Sequence, residues 1–598
     1  MTIQPTLNHD LLPTWDLSDL YPSMTCPELK NDFSTLEQKV GDFSALYKGK
    51  LATLTAPEML NVIKKYEVME ETMGRIMSYA GLLHAGDVMD ADISKFYQSC
   101  HERLTELSTK VLFFTLEINQ IDDKILEHWF QDSADLKRYR PWFDSVRLYR
   151  PHQLDEKLEE LLMEKSVSGS AAWVRLFDET MADLKFDYTD PKTQETTIIG
   201  SEEALNYLSD KQAPVRKAAA ACLSKTFAKN IRLFSHITNT LAKDKQIEDS
   251  WRHYTAPSAS RHLSNQVEKE VVDALVSAVK AAYPKLSHRY YKMKAGWFGQ
   301  DTLDWWDRNA PLPDSDDLLY QWPDAQKTVL DAYRRFSPEL ADIGTKFFDN
   351  AWIDAPVREG KSPGAFAHPT VPGAHPYLLL NYLGKTRDVM TLAHELGHGV
   401  HQVLAGPQGQ LLADTPLTLA ETASVFGEML TFQSLLNDAP DDRQRKNMIA
   451  AKVEDMLNTV VRQIAFYDFE ERVHAARKEG ELSADDLGDI WMAVQQESLG
   501  DGIVFDDSYR TFWCYIPHFI HSPFYVYAYA FGDCLVNSLY ATYQNSPDGF
   551  QQKYMDMLRA GGSLRHKELL SPFGLDASAP DFWATGLNMI SDMIDQLE

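Results

Sequence analysis

The sequence predicts a predominantly α-helical protein of at least two folding units, with one small β-sheet directly before a histidine-bearing helix. Three observations carry that prediction. Apolar residues recur every three to four positions over most of the chain, the spacing of amphipathic helices. One stretch, 352–384, breaks the rhythm with Gly, Pro and a short apolar run. The 598 residues exceed what a single hydrophobic core normally organises.

In chain order, residues 56–83 and 154–184 have helical periodicity. Residues 185–200, "KFDYTDPKTQETTIIG", read as a short hairpin around Asp190-Pro191 that ends at Gly200. This is the clearest punctuation in the first half of the chain. It predicts an N-terminal helical domain, 1–198, and a second domain, 199–598. Helices resume over 201–250 and 266–297. The segment 352–384, "WIDAPVREGKSPGAFAHPTVPGAHPYLLLNYLG", reads as a small sheet with turns, ending in the mostly apolar run Tyr377 to Leu383. Helical periodicity then runs almost unbroken from Asp388 onward.

Composition narrows the function. With 59 Lys+Arg against 87 Asp+Glu the formal charge is −28, which disfavours nucleic acid and anionic membranes as partners. No run approaches the roughly 18 apolar residues of a membrane-spanning helix. Five scattered cysteines form no CxxC pair, which argues against a disulfide framework or a cysteine-built metal site. The start lacks a basic stretch followed by an apolar one, so the expected compartment is the cytoplasm.

The stretch "DVMTLAHELGHGVH" (388–401) contains an HExxH motif: His394, Glu395 and His398. Positions i and i+4 share a helix face, so both imidazoles can reach one zinc ion at about 2.0–2.1 Å. Glu395 lies beside them, where its carboxylate can take the proton of the attacking water. His401 stands seven residues after His394, about 10.5 Å along the axis, too far for all three rings to meet at one ion. The extended pattern HExxHxxGxxH is absent, because position 401 is His and position 404 is Leu. Gly397 and Gly399 each cost the helix up to ~1 kcal/mol relative to alanine, which makes sense if they admit a close neighbour.

A third ligand must come from elsewhere. In "DTPLTLAETASVFGEMLTF" (414–432), Glu421, Ser424 and Glu428 stand at i, i+3 and i+7 on one helix face. A helix packed across the first would present Glu421 or Glu428 to the metal and leave the other carboxylate to hold a ligand imidazole. Spacing does not rank the two.

The pattern "NYLGKTRDVMTLAHELGHGVH…LAETASVFGEML" resembles the active-site region of the thimet-oligopeptidase-like zinc peptidases, in particular the oligoendopeptidase F branch. So do "TWDLSDLYPS" (14–23), "RPHQLDEKLEELL" (150–162) with Ala172-Trp173, and "IPHFIHSPFYVYAYAFG" (516–532), so the likeness covers nearly the whole chain. The resemblance implies two helical halves around a deep substrate channel that admits short peptides and excludes folded proteins. It implies one zinc ion per chain, with Glu421 as third ligand and Glu428 in support.

Hydrolysis also needs a donor to the oxyanion that forms at the attacked carbonyl. The segment 516–532 offers His518, His521, Tyr525, Tyr527 and Tyr529, with His518, Tyr525 and Tyr529 close to one face of a helix and Pro523 in its first turn or at a kink. The resemblance assigns a histidine and one or more tyrosines here to substrate and intermediate. We expect His518 and Tyr525 to be catalytic, with His521, Tyr527 and Tyr529 as further substrate contacts. Distant relatives place their tyrosines at other offsets, so Tyr527 and Tyr529 stand as alternatives.

An extended peptide offers main-chain groups, and an exposed strand edge matches them with little regard to sequence. Tyr377 in "HPYLLLNY" and Gly364 in "GKSPGAF" are the expected contributors. The expected function is zinc-dependent endopeptidase of short peptides. A terminus-specific or dipeptide-releasing zinc peptidase is the alternative. A catalytically silent peptide binder fits less well, because every residue the chemistry needs is present.

Overall fold

In the computed structural model, which describes residues 7–313 and 318–598, helix accounts for 71% of the chain and strand for 4%, so the fold is predominantly α. No helix among the described residues is long and apolar enough to cross a membrane. The helices used below are α1 (Ala56–Gly86), α2 (Ala213–Trp251), α3 (Ala259–Ser264), α4 (Trp322–Phe336), α5 (Thr386–Ala405), α6 (Leu417–Asn437), α7 (Val461–Glu479), α8 (His518–His521) and α9 (Tyr527–Asn545). The strands are β1 (Phe186–Thr189), β2 (Thr196–Ile199), β3 (Leu303–Asp304), β4 (Ile353–Asp354), β5 (Phe366–His368), β6 (Tyr377–Leu379) and β7 (Ile503–Val504).

The chain forms two units, and neither is contiguous. The first gathers Met1–Arg150, Asp317–Asp438 and Thr542–Leu575; the second gathers Pro151–Asp316, Ala439–Ala541 and Asp576–Glu598. The linear division expected at 198/199 is therefore corrected. The hairpin is real, with Phe186 opposite Ile199 and Thr189 opposite Thr196, but it lies inside the second unit. Phe186 meets Phe227 of α2 edge-on at 5.8 Å. Asp190 closes the turn by accepting the Lys192 and Thr193 N–H groups at 2.7 and 2.9 Å. The punctuation marked a turn packed on its own unit.

In the first unit, Met59, Ile63 and Ile76 of α1 are buried with Phe114 and Phe143 in one core that extends to Tyr377 of β6. Here the sheet has the order β4-β6-β5, with β4 parallel and β5 antiparallel to β6. Tyr377, expected at an exposed edge, is therefore on the central strand and fully buried. Its hydroxyl donates to the Asp16 carbonyl at 2.8 Å, and Trp15 packs edge-on against its ring, so "TWDLSD" is tied to the sheet. The free edge belongs to β5. The N–H groups of Leu378 and Leu380 point to β4, donating to Trp352 and Asp354. Ala367, opposite Leu378, is thus in a non-hydrogen-bonded pair, and its N–H and C=O face away from β6.

The second unit contains the hairpin on α2 and a two-stranded parallel ladder, β3 with β7. Its α8 and α9 are separate helices: α8 stops at His521, α9 starts at Tyr527, and Phe524 between them has φ +60°. The single helix expected across 518–529 is corrected to two helices joined by a left-handed residue after Pro523.

Candidate metal centre

Helix α5 begins where Asp388 accepts the Leu383 and Lys385 N–H groups at 2.9 and 3.0 Å, closing the turn that follows the sheet. Leu392, Leu396, Val400 and Leu404 of its apolar side are buried. At Gly397, an added Cβ would lie 2.5 Å from the Ala423 carbonyl oxygen and 2.7 Å from Ser424 Cα, so the backbone of α6 rests directly on α5. Gly399 serves a different neighbour: its Cβ would meet the Phe347 ring at 2.6 Å. Tyr333 of α4 donates to the Ala393 carbonyl at 2.5 Å, and its hydroxyl occupies the space that a side chain at Gly427 of α6 would need.

A substitution test follows. Gly397→Ala forces backbone against backbone, and overpacking of this kind costs about 1–3 kcal/mol. The strain falls on the helix pair that sets ligand spacing, so metal affinity is expected to drop by about tenfold or more. Gly399→Ala meets the Phe347 ring, which lies off the helix pair that carries the ligands, and should change metal affinity less. Chelator competition and thermal melts of both variants provide the check; equal metal affinities would contradict the contact.

That contact gathers the ligands. The Glu421 Oε2 atom lies 3.4 Å from His394 Nε2 and 3.5 Å from His398 Nε2. Tetrahedral ligands at about 2.1 Å from an ion are ~3.4 Å apart, so the three atoms fit one zinc-sized ion. They form the one three-residue His/Cys/Asp/Glu group among the described residues that could hold a metal. Ser424 Oγ donates to Glu421 Oε2 at 2.6 Å and orients the carboxylate. His394 Nδ1 lies 3.2 Å from Glu428 Oε2, which fixes the tautomer that leaves Nε2 available. The Ala420 backbone carbonyl accepts from the His398 ring. His401 is buried on the same helix and outside this group, and burial holds its pKa down at about 4.

The electrostatics favour a cation. Burial opposes charge on His394, yet the Glu428 hydrogen bond and the charges of Glu421, Glu395 and Glu428 raise its pKa to about 9. Burial lowers that of His398 to about 4, against the pull of Glu421. Below pH 9 a metal must displace the His394 proton, so affinity rises with pH up to that point. Binding at about pH 7.5 should release about one proton, read by calorimetry in buffers of different ionisation enthalpy. No net proton release would contradict this charge arrangement.

Glu395 is buried on the same helix, and burial is the main cause that raises its pKa to about 7; Glu421 and Glu428 add to the rise, while His394 and the Ala367 N–H oppose it. The Ala367 N–H that holds its carboxylate is the outward-facing donor of β5. A backbone donor has no signature in the sequence, so side-chain patterns missed it. Gly364, in the turn before β5, has φ +80° and open space where a Cβ would stand, and Asn381 Nδ2 donates to its carbonyl at 2.9 Å.

In the second unit, His518 Nε2 lies 3.2 Å from the Tyr529 hydroxyl. The Tyr525 ring sits 5.9 Å from His518 and 5.3 Å from Tyr529, so these three are brought together. Burial lowers the His518 pKa, with His521 and Arg462 adding to the effect, so the imidazole is neutral. Tyr527 does not join them: it is fully buried, and its hydroxyl takes a hydrogen bond from Asn265 Nδ2 at 2.8 Å and lies 3.1 Å from His262 Nδ1. Its expected place among the substrate contacts is corrected to core. His521 pairs at 2.7 Å with Asp178.

Residues 206–589 match Peptidase family M3, and residues 117–186 match the family described as Oligopeptidase F. The chain is similar to the oligopeptidase PepF of Bacillus subtilis (strain 168), at 27% identity over 98% of this chain and 87% of that one. It is also similar to an oligoendopeptidase F homolog of Lactococcus lactis subsp. lactis (strain IL1403), at 24% identity over 98% of this chain and 96% of that one. Its fold resembles that of oligoendopeptidase-F from Enterococcus faecium, with a TM-score of 0.70 and 21% identity over 95% of this chain and 98% of that one. An HExxH helix crossed by a glutamate-bearing helix thus coincides with a family match over more than half the sequence: the chain belongs to peptidase family M3, in its oligopeptidase F branch.

Proposed function

We propose that this metalloendopeptidase of oligopeptides uses one zinc ion per chain, held by His394, His398 and Glu421, and works in the cytoplasm. The observation that carries the reading is the convergence of two imidazole nitrogens on Glu421 Oε2 at 3.4 and 3.5 Å, beside a buried carboxyl not used as a ligand. Zinc bound there supplies Lewis acidity, polarising the scissile carbonyl and easing deprotonation of water.

The chain's own residues do the rest. Glu395 takes a proton from the attacking water and returns it to the leaving amine nitrogen. Its pKa of about 7 suits both halves of that transfer. Glu428 holds His394 in the ligating tautomer. An extended substrate meets the outer edge of β5, where Ala367 keeps its carbonyl as an acceptor while its N–H holds Glu395, and Gly364 leaves room beside that strand. Tyr525, with the neutral His518, donates to the oxyanion, and Tyr529 orients His518.

The test is mass spectrometry of a peptide mixture of about ten-residue length incubated with and without chelator, with a folded protein as control. Internal cleavage that chelator stops and zinc restores is expected, with the folded protein intact. Release of dipeptides alone from one end would favour the terminus-specific alternative, and chelator-resistant cleavage would overturn the metal assignment.

A further inference from the structure

We propose that Arg261 and Glu470 are positioning residues for Tyr525, clamping the link between α8 and α9 in the backbone conformation that presents its phenol. This rests on the reading that Tyr525 acts in catalysis. The link is unusual in itself: Phe524 is a bulky residue at φ +60°, a conformation that persists only where surroundings impose it. Its ring is fully buried, 4.8 Å from His474 and 6.0 Å from Tyr467.

The break is required for the donor cluster. In a straight helix, residues eleven apart are about 16.5 Å apart along the axis, so positions 518 and 529 could not touch. Here His518 Nε2 and the Tyr529 hydroxyl are 3.2 Å apart, with Tyr525 beside both. Two side chains grip the break on its two polar sides. Glu470 of α7, itself buried, accepts the Phe524 N–H at 2.8 Å. Arg261 of α3 donates from Nε to the Pro523 carbonyl at 3.2 Å and lays its guanidinium 5.7 Å from the Tyr525 ring centre. Asn265, at the end of α3, anchors the following turn through the Tyr527 hydroxyl at 2.8 Å. Tyr525 is thus bracketed by fixed backbone on one side and a fixed core tyrosine on the other.

Burial pushes the Glu470 carboxyl well above the usual range, although the Phe524 N–H opposes the shift. Glu470→Gln keeps an oxygen acceptor of the same shape for the Phe524 N–H, whereas Glu470→Ala removes it.

The experiment measures kcat and KM on one peptide for Glu470→Ala, Glu470→Gln and Arg261→Ala, each alone and combined with Tyr525→Phe, and amide exchange across 522–526. Tyr525→Phe should lower kcat by about 10²-fold. Glu470→Ala and Arg261→Ala should each lower kcat by about tenfold or more with KM within about twofold, and Glu470→Gln should restore it. In the Tyr525→Phe background the Ala substitutions should cost less than about twofold more, because they act through the phenol. Exchange at Phe524 should quicken in Glu470→Ala.

Full multiplication of the effects, or unchanged kcat in the Ala variants while Tyr525→Phe is slow, would overturn the clamp and leave the donor role standing. A fully active Tyr525→Phe would overturn the donor role, and the clamp's catalytic purpose with it. If Glu470→Ala does not fold, Arg261→Ala is read on the same scale.

Discussion

Replacing Glu395 with Gln leaves the metal bound and lowers kcat on the order of 10³-fold, within the range that a positioned acid–base group supplies. The side chain keeps its size and its acceptor for the Ala367 N–H, so the packing of α5 against β5 is retained. What is lost is the proton acceptor. The ligand atoms belong to other residues, so zinc content by elemental analysis should stay near one per chain. An active Glu395→Gln variant would remove Glu395 from the chemistry. Loss of zinc together with activity would mean that the carboxylate supports the ligands instead.

The second large effect separates two glutamates that spacing leaves equivalent. Glu421→Ala removes the oxygen on which both Nε2 atoms converge, 3.4 and 3.5 Å away. Glu428→Ala removes only the partner of His394 Nδ1 at 3.2 Å. Supporting partners of this kind are worth about 10–100-fold in metal affinity, and Glu421→Ala should exceed that. Chelator competition ranks the two variants; a larger loss in Glu428→Ala would exchange their roles. The backbone contact at Gly397 is the physical reason for the ranking. Seating Ala423 and Ser424 on α5 puts Glu421 at the Nε2 side of both rings, while Glu428, about 10.5 Å further along α6, reaches His394 from behind.

The parts of the site readable from sequence are those set by one helix's own geometry. His394, Glu395 and His398 share a helix face, and the two glycines announced a close neighbour. One of them, Gly397, does admit the helix that carries Glu421; the other faces the Phe347 ring, which nothing in the local pattern distinguishes. What depended on long-range pairing was not readable. An apolar run such as Tyr377 to Leu383 looks the same in a central strand and at an edge, and β4, more than twenty residues earlier, decides which it is. Helical periodicity across 518–529 hid the left-handed Phe524, for which Pro523 was the sole hint. The hairpin at 186–199 was placed correctly as an element and misread as a boundary, because discontinuous units leave no single mark along a chain.

Anomalous diffraction at the zinc edge, in crystals of the zinc-loaded protein, locates the ion directly and so tests the ligand set of His394, His398 and Glu421. One strong peak is expected, bonded to His394 Nε2, His398 Nε2 and a Glu421 carboxylate oxygen, with Glu428 on His394 Nδ1 and no bond to His401. A peak bonded to Glu428 or His401 in place of Glu421, or no peak at this helix pair, would contradict it.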